Sequence, residues 1–254
     1  MTDMAVQVAA LPGGFEPGRP VVWSACSSDE SSGGGAAFPG QESVCLDGSR
    51  AAPWSGRLAD TGAGLPGSGA GRRRLREVLR ETLAAEGSSS SFRGLVLGRD
   101  ENPFARRARR IVDDAFPAAA GAPGPPTPRW SALLSGLCGL GAGFTPSGDD
   151  FLAGVLLGEA MANRPLEEDA AAQEGFVTEV PAGTTPAGRT LLWLALQRRF
   201  PAYLLSLAVA AIDPGSAELN RALAAAFSHG ATSGQDAVSG FLRYLDHVDS
   251  LTAS

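Results

Sequence analysis

A glycine-rich loop that leads into an apolar helix constrains the fold of this chain more than any other segment. Residues 139–150 read G-L-G-A-G-F-T-P-S-G-D-D, and an apolar run begins at Phe151. Ser147 and Asp150 have the spacing of a capping box, so the pattern predicts a helix with Ser147 as its N-cap. The loop glycines allow left-handed backbone angles and the close approach of a ligand. Free N–H groups and the dipole of such a helix start favour an anion, and a well-capped buried helix without a ligand is the structural alternative.

A second segment repeats this pattern near the C-terminus. Residues 233–242 read S-G-Q-D-A-V-S-G-F-L and share S-G-x-D-x-x-x-G-x-L with residues 147–156. Glycine inside a helix costs about 1 kcal/mol relative to alanine, so Gly154 and Gly240 predict that two helices approach closely there or that something else needs the room. We expect both helix starts to line one cleft. Convergence on a good cap is the alternative explanation for so short a repeat.

These residues resemble a bacterial family. The signature G-x-G-x-T-P-S-G-D-D-F-L-x-G is similar to that of the AllH-type subunit of oxamate carbamoyltransferase, from about Trp130 to Gly158, and an H-G-x-T-S-G-x-D element is similar from His229 to Leu242. The resemblance implies a role in allantoin breakdown, where that enzyme interconverts oxalurate plus phosphate with oxamate plus carbamoyl phosphate. It also implies companion subunits.

The chain is predicted to be α+β, with two parts. Residues 1–60 form a small β-rich N-terminal part with β-like pieces at 5–10, 20–24 and 43–46 and a mobile Gly/Ser loop at 27–40. Residues 61–254 form a helical body that carries the signature loop and the C-terminal repeat, and 61–71 is a Gly-rich linker. A further short strand is predicted at 92–97.

Apolar residues at helical spacing predict the helices of the body. Their expected ranges are 72–86, 103–116, 131–137, 148–162, 186–196, 203–212, 216–227 and 234–248. The helix at 148–162 is apolar nearly all round beyond its two aspartates, so we expect it to be central and buried. The arginine clusters at 72–80 and 106–110 are interpreted as solvated helix faces first and partner-docking faces second.

Composition excludes several classes of protein. No run of eighteen apolar residues predicts a membrane span, and the N-terminus lacks the basic region of a signal peptide, so we expect a cytoplasmic protein. The net charge of −6 argues against nucleic-acid binding. All 21 basic residues are arginine, which excludes a P-loop lysine or a Schiff base. Cys26, Cys45 and Cys138 form no C-x-x-C pair, so a zinc ribbon or redox couple is disfavoured.

Four residues are candidates for catalysis. Asp149 and Asp150 are adjacent; Asp150 has the capping position, which leaves Asp149 free to orient an amide or ureido N–H or to face solvent. The repeat keeps Asp150 as Asp236 but changes Asp149 to Gln235. His229 is the better-placed of two histidines for acid–base work, and a structural turn histidine is the alternative. Arg189 follows the expected cap at Thr184, Thr185 and Pro186, and its fork suits a carboxylate or phosphate or, alternatively, a salt bridge.

The function that we expect is that of an enzyme or catalytic subunit acting on a small carbamoyl, ureido or carboxylate substrate, with carbamoyl transfer to or from phosphate. The alternative is a non-catalytic accessory or scaffold subunit. We predict no metal ligands and no certain cofactor, and carboxylate-bound Mg²⁺ stays open. The expected contacts to the anionic substrate are Gly141, Gly143, Thr145, Ser147, Gly148, Thr185, Thr232, Ser233, Gly234 and Asp236.

Overall fold

In a computed structural model, the chain divides into two units, Met1–Ser55 and Gly56–Ser254. The structure describes residues 55–86, 92–99, 103–116, 128–163, 180 and 183–252, which belong to the second unit apart from Ser55. The predicted β-like pieces, the Gly/Ser loop, Cys26 and Cys45 lie outside these residues. The boundary at residue 60 therefore stays a prediction.

The described residues are mainly helical, so the predicted α+β class is wrong for them. They contain a 3-10 turn at Leu58–Thr61, one isolated antiparallel bridge between Arg57 and Arg199, and no β-strand. The α-helices are α1 (Gly69–Ala85), α2 (Arg93–Leu97), α3 (Pro103–Ala115), α4 (Trp130–Leu137), α5 (Ser147–Met161), α6 (Pro186–Leu196), α7 (Ala202–Ala210), α8 (Ala217–Phe227) and α9 (Ser233–Thr252).

Two predicted elements differ from the structure: one has a different secondary structure, and the other ends earlier than predicted. The segment predicted as a strand is α2, whose preceding residue Phe92 donates its N–H to the Asp236 carboxylate at 2.9 Å. This bond comes from a residue 144 positions away, so local propensity does not report it. The predicted linker is also shorter than expected, because Ser68 caps α1 by accepting the N–H of Gly71 at 3.0 Å.

Helix α5 is the centre of the molecule, as its apolar sequence predicted. Every residue of α5 is buried, and the helix packs most extensively on α9 and next on α6. Glycines make the contact with α9 close: a Cβ atom on Gly154 would lie 1.8 Å from the Ala237 carbonyl oxygen, and one on Gly240 would lie 1.9 Å from that of Phe151. The predicted close approach of two helices is confirmed.

Arginines of α1 hold the C-terminal half of α9. Arg72 and Arg76 each pair with Asp249 at 2.9 Å, and Arg80 pairs with Asp246 at 2.8 Å. The interpretation of this cluster as a solvated face is therefore wrong for these three arginines, whose charges join two helices, whereas Arg73 and Arg74 are exposed. The apolar face of the same helix packs inward as predicted, at Leu75, Val78, Leu79 and Leu83.

Candidate functional site

The glycine loop before α5 adopts the left-handed angles that its sequence predicts. The φ angles of Gly139, Gly141 and Gly143 are 74°, 121° and 115°. At Gly141 a Cβ atom would lie 2.8 Å from the backbone nitrogen of Ser147, so the loop packs directly against the helix start.

The predicted capping box at the start of α5 is wrong. Pro146 occupies the N-cap position, and Ser147 is the first helical residue, with its buried hydroxyl making no hydrogen bond among the described residues. The Pro146 carbonyl accepts the N–H groups of Asp149 and Asp150 at 2.9 and 3.2 Å, and the Leu140 carbonyl accepts that of Gly148 at 2.8 Å. These three N–H groups therefore have acceptors within the chain and are not directed at an anion.

The start of α9 is built in the same way. Gly234 donates its N–H to the His229 carbonyl at 3.2 Å, and Asp236 donates to that of Thr232 at 2.9 Å. Both helices also require their second residue to be glycine. A Cβ atom on Gly148 would lie 1.9 Å from the Leu137 carbonyl oxygen, and one on Gly234 would lie 1.7 Å from that of Ala226.

The two helix starts meet through side-chain hydroxyls, and the prediction that they line one cleft stays a prediction. The hydroxyl oxygens of Thr145 and Ser233 are 3.2 Å apart. Thr145 donates to the Asp150 carboxylate at 3.1 Å, and the Ser233 side chain also hydrogen-bonds to Asp150. The loop, α5 and α9 thus enclose one carboxylate with hydroxyls from both copies of the motif.

Asp149 is an anchor and not the open carboxylate that the sequence suggested. Its side chain is fully buried, and it accepts the Gly139 N–H at 2.9 Å together with the Thr184 hydroxyl. Burial raises the pKa of this carboxyl above its usual range, and hydrogen bonds from Thr184, Gly139 and the Cys138 side chain oppose the rise. These partners tie the loop and the segment before α6 to the start of α5.

Asp150 lies in an acidic environment. Burial, together with the charges of Asp236 and Asp149, raises its pKa to about 7, and hydrogen bonds from Ser233 and Thr145 oppose the rise. Asp236 is fully buried and accepts the Phe92 N–H. No cation is among the described groups that act on Asp150. A carboxyl group in this setting can hold or release a proton near neutral pH.

Tyr203, on the first turn of α7, was not among the predicted site residues. Its ring stacks on that of His229, with centroids 4.2 Å apart and planes at 24°. Burial and then the charges of Asp150 and Asp236 raise the pKa of its phenol, so Tyr203 lies within the field of both carboxylates. The feature of the sequence that could have indicated Tyr203 is a polar aromatic side chain in a largely apolar helix. His229 is exposed overall, but neighbouring groups shield part of its imidazole from water, and this desolvation lowers the pKa of the ring.

The remaining predicted residues lie around this cluster in different ways. Thr185 caps α6 by accepting the Gly188 N–H at 3.0 Å, with Pro186 at the first position, as predicted. Its hydroxyl also donates to the Phe144 carbonyl at 2.8 Å, which joins α6 to the loop. Arg189 is exposed on the first turn of α6.

The described part of the chain contains no group of three or more His, Cys, Asp and Glu side chains placed to hold a metal ion. None of its helices is long and apolar enough to span a membrane.

Comparison with known proteins finds one family that is similar to the segment forming this cluster. The family model of oxamate carbamoyltransferase subunit AllH matches residues 137–245. Over this segment, which is less than half of the chain, the sequence is similar to the AllH family. No curated protein and no solved structure matches the chain. The matched residues include the glycine loop, both helix starts, Tyr203 and His229, so the family segment coincides with the site described above.

Proposed function

We propose that this AllH-like chain supplies the carboxylate site of a carbamoyltransferase acting on oxalurate or oxamate. The observation that carries the proposal is Asp150, a buried carboxyl with a pKa near 7 that contacts hydroxyls from both helix starts and lies in the field of Asp236. Acid–base groups work best when their pKa lies near the working pH. The family name supplies the reaction.

The charge of the cluster decides which part of the substrate it holds. The charges of Asp236 and Asp149 at Asp150 disfavour phosphate, whereas a carboxylate accepts the N–H groups of an amide or ureide. The amide end of oxamate, or the ureido group of oxalurate, therefore binds at Asp150 and Asp236. The charged ends of the substrates need cations, which companion subunits or other arginines of the chain would supply.

The proposed chemistry moves one proton. A phosphate oxygen forms a bond to the terminal carbamoyl carbon of oxalurate, and the bond from that carbon to the oxamate nitrogen breaks. The proton on the phosphate passes through the Asp150 carboxyl to the departing nitrogen. The products are carbamoyl phosphate and oxamate, and no covalent bond to the protein forms. Positioning and charge stabilisation supply the catalysis.

An accessory subunit is the second candidate. The observation in its favour is Phe144, a signature-loop residue whose side chain is 85% exposed, as an aromatic anchor for a partner protein would be. In this alternative the buried aspartates serve only the fold.

Turnover of the assembled enzyme separates the two functions. The chain is combined with its companion subunits, and oxamate-dependent phosphate release from carbamoyl phosphate is measured for wild type, Asp150→Asn and the exposed control Asp213→Asn. We expect Asp150→Asn to lose about 100-fold in kcat, which is typical of an acid–base group, and the control to match wild type. Wild-type turnover by an assembled Asp150→Asn complex would establish the accessory role.

A further inference from the structure

Two hydroxyl groups contact the buried carboxyl of Asp150. The Thr145 hydroxyl donates to this carboxyl at 3.1 Å and lies 3.2 Å from the Ser233 hydroxyl, and the Ser233 side chain hydrogen-bonds to the same carboxyl. The exposure of the three residues differs, because Asp150 is 2% exposed whereas Thr145 and Ser233 are both partly exposed. A molecule from solution therefore meets the two hydroxyl-bearing residues before it meets the carboxyl.

Both hydroxyls are mounted on backbone that is held in place. On one side of Thr145, the Phe144 carbonyl accepts the Thr185 hydroxyl at 2.8 Å, and on the other side, the Pro146 carbonyl accepts two N–H groups of α5. Ser233 is the first residue of α9. The two side chains are therefore positioned against Asp150 by the fold, as groups that transfer protons must be.

The number of protons in this group of contacts decides which way the hydroxyls point. A hydroxyl donates one proton and accepts through two lone pairs, and an ionised carboxylate only accepts. When Asp150 is ionised, both hydroxyls donate to it, and their remaining lone pairs accept N–H groups from a substrate. When Asp150 is protonated, it donates to one of the hydroxyls, and the proton of that hydroxyl is released for a substrate. The charge of Asp150 thus switches the pair between accepting and donating.

We propose that Thr145 and Ser233 are the substrate-contacting residues of the site and that their hydroxyls relay protons between Asp150 and the substrate. This inference rests on the proposed function. One hydroxyl gives its proton to the departing oxamate nitrogen as the bond from that nitrogen to the carbamoyl carbon breaks, and it takes the Asp150 proton in return. The other hydroxyl gives its proton to Asp150 and takes one from the attacking phosphate. Every O–H bond of the protein that breaks is replaced, so all three groups are unchanged after each turnover.

Removing each hydroxyl in turn tests the relay. In the assembled enzyme we expect Thr145→Val and Ser233→Ala each to lower kcat about 100-fold, as for a lost acid–base group. The matched controls are Thr190→Val and Ser228→Ala, which remove exposed hydroxyls that donate to backbone carbonyls. Both controls should retain the wild-type kcat. Wild-type kcat in Thr145→Val or in Ser233→Ala would overturn the relay.

A rescue variant and a double variant separate a relay from a structural role of the hydroxyls. Thr145→Ser restores the hydroxyl and should recover most of the kcat that Thr145→Val loses. If Ser233 acts through Asp150, adding Ser233→Ala to Asp150→Asn should lower kcat no further, because groups that act as a unit are non-additive. Losses that multiply in the double variant, or no recovery in Thr145→Ser, would show that the hydroxyls only support the fold and would overturn the relay.

Asp150→Asn by itself keeps the two proposals apart. If Asp150→Asn is slow while Thr145→Val and Ser233→Ala are fully active, only the inference about the hydroxyls fails. If Asp150→Asn is fully active, the proposed function fails, and with it the inference that depends on it.

Discussion

Two adjacent carboxylates in this chain have opposite environments. Asp149 is surrounded by donors from the glycine loop and from Thr184, so its oxygens are bound within the fold. Asp150 faces hydroxyls and a second carboxylate instead. The difference follows from helix geometry, because adjacent residues point about 100° apart. Asp149 therefore ties the loop to α5. Asp150 lies where two helices meet, and its burial there lowers the stability of the fold.

Replacing Asp150 by asparagine should stabilise the protein at alkaline pH. The carboxyl has a folded pKa of about 7 against an ordinary value of 3.8, so between these values the folded state binds more protons than the unfolded state. Stability from this group is present below pH 4 and is lost as pH rises through 7. Thermal unfolding should show Asp150→Asn melting above wild type at pH 8 and close to it at pH 4. A variant that melts below wild type at pH 8 would refute this account of Asp150.

Removing the Asp149 carboxylate should destabilise the protein instead. Asp149→Ala leaves the Gly139 N–H and the Thr184 hydroxyl without this acceptor, and an unsatisfied buried donor costs about 1–3 kcal/mol. Urea unfolding at pH 5, where burying the charge matters less, measures the loss. Asp213→Ala, which removes an exposed carboxylate, is the control. Equal stability of the two variants would show that Asp149 is not an anchor.

At the scale of elements, α5 and α9 pack by a reciprocal contact. Gly154 of α5 faces the Ala237 carbonyl of α9, and Gly240 of α9 faces the Phe151 carbonyl of α5. These positions correspond in the S-G-x-D-x-x-x-G-x-L repeat, so the contact has an approximate internal two-fold relation. This packing brings the two helix starts, and with them Asp150 and Asp236, to the same place.

Alanine at Gly154 should therefore be strongly destabilising. Its Cβ atom would lie 1.8 Å from a backbone carbonyl oxygen, and overpacking a core costs about 1–3 kcal/mol or more. Gly69→Ala in α1 is a matched helical control, since its Cβ would lie 4.0 Å from the end of the flexible Arg72 side chain. Denaturant unfolding should show a large loss for Gly154→Ala and none for Gly69→Ala. Similar midpoints for both variants would contradict the close packing.

The sequence predicted the long helices and the contact between them because those signals are local. Apolar spacing located α1, α3 and α5, and helical glycines at 154 and 240 indicated where two helices touch. Elsewhere the prediction from sequence was wrong, because the hydrogen-bond partners lie far apart along the chain. The N–H of Phe92 finds its acceptor 144 residues away, and Asp149 finds a donor 35 residues away at Thr184. Neither the helix at Arg93–Leu97 nor the anchoring role of Asp149 could be read from neighbouring residues.

At the scale of the whole molecule, we propose that the site lies within this chain and that the reaction is carried out by an assembly. The match to the oxamate carbamoyltransferase subunit AllH covers residues 137–245, which hold both carboxylates of the site. The described groups acting on Asp150 include no cation. A substrate with charged ends therefore requires further groups, and the exposed Phe144 loop is a candidate contact for the subunit that brings them.

The central claim is that Asp150 and Asp236 form one site built from two related helix starts. A double-mutant cycle in the assembled enzyme tests it, with kcat/KM for oxamate measured for Asp150→Asn, Asp236→Asn and the double variant. Groups that act as a unit are strongly non-additive, so we predict that the double variant is no slower than the slower single variant. Losses that multiply, or wild-type turnover in either single variant, would contradict a shared site.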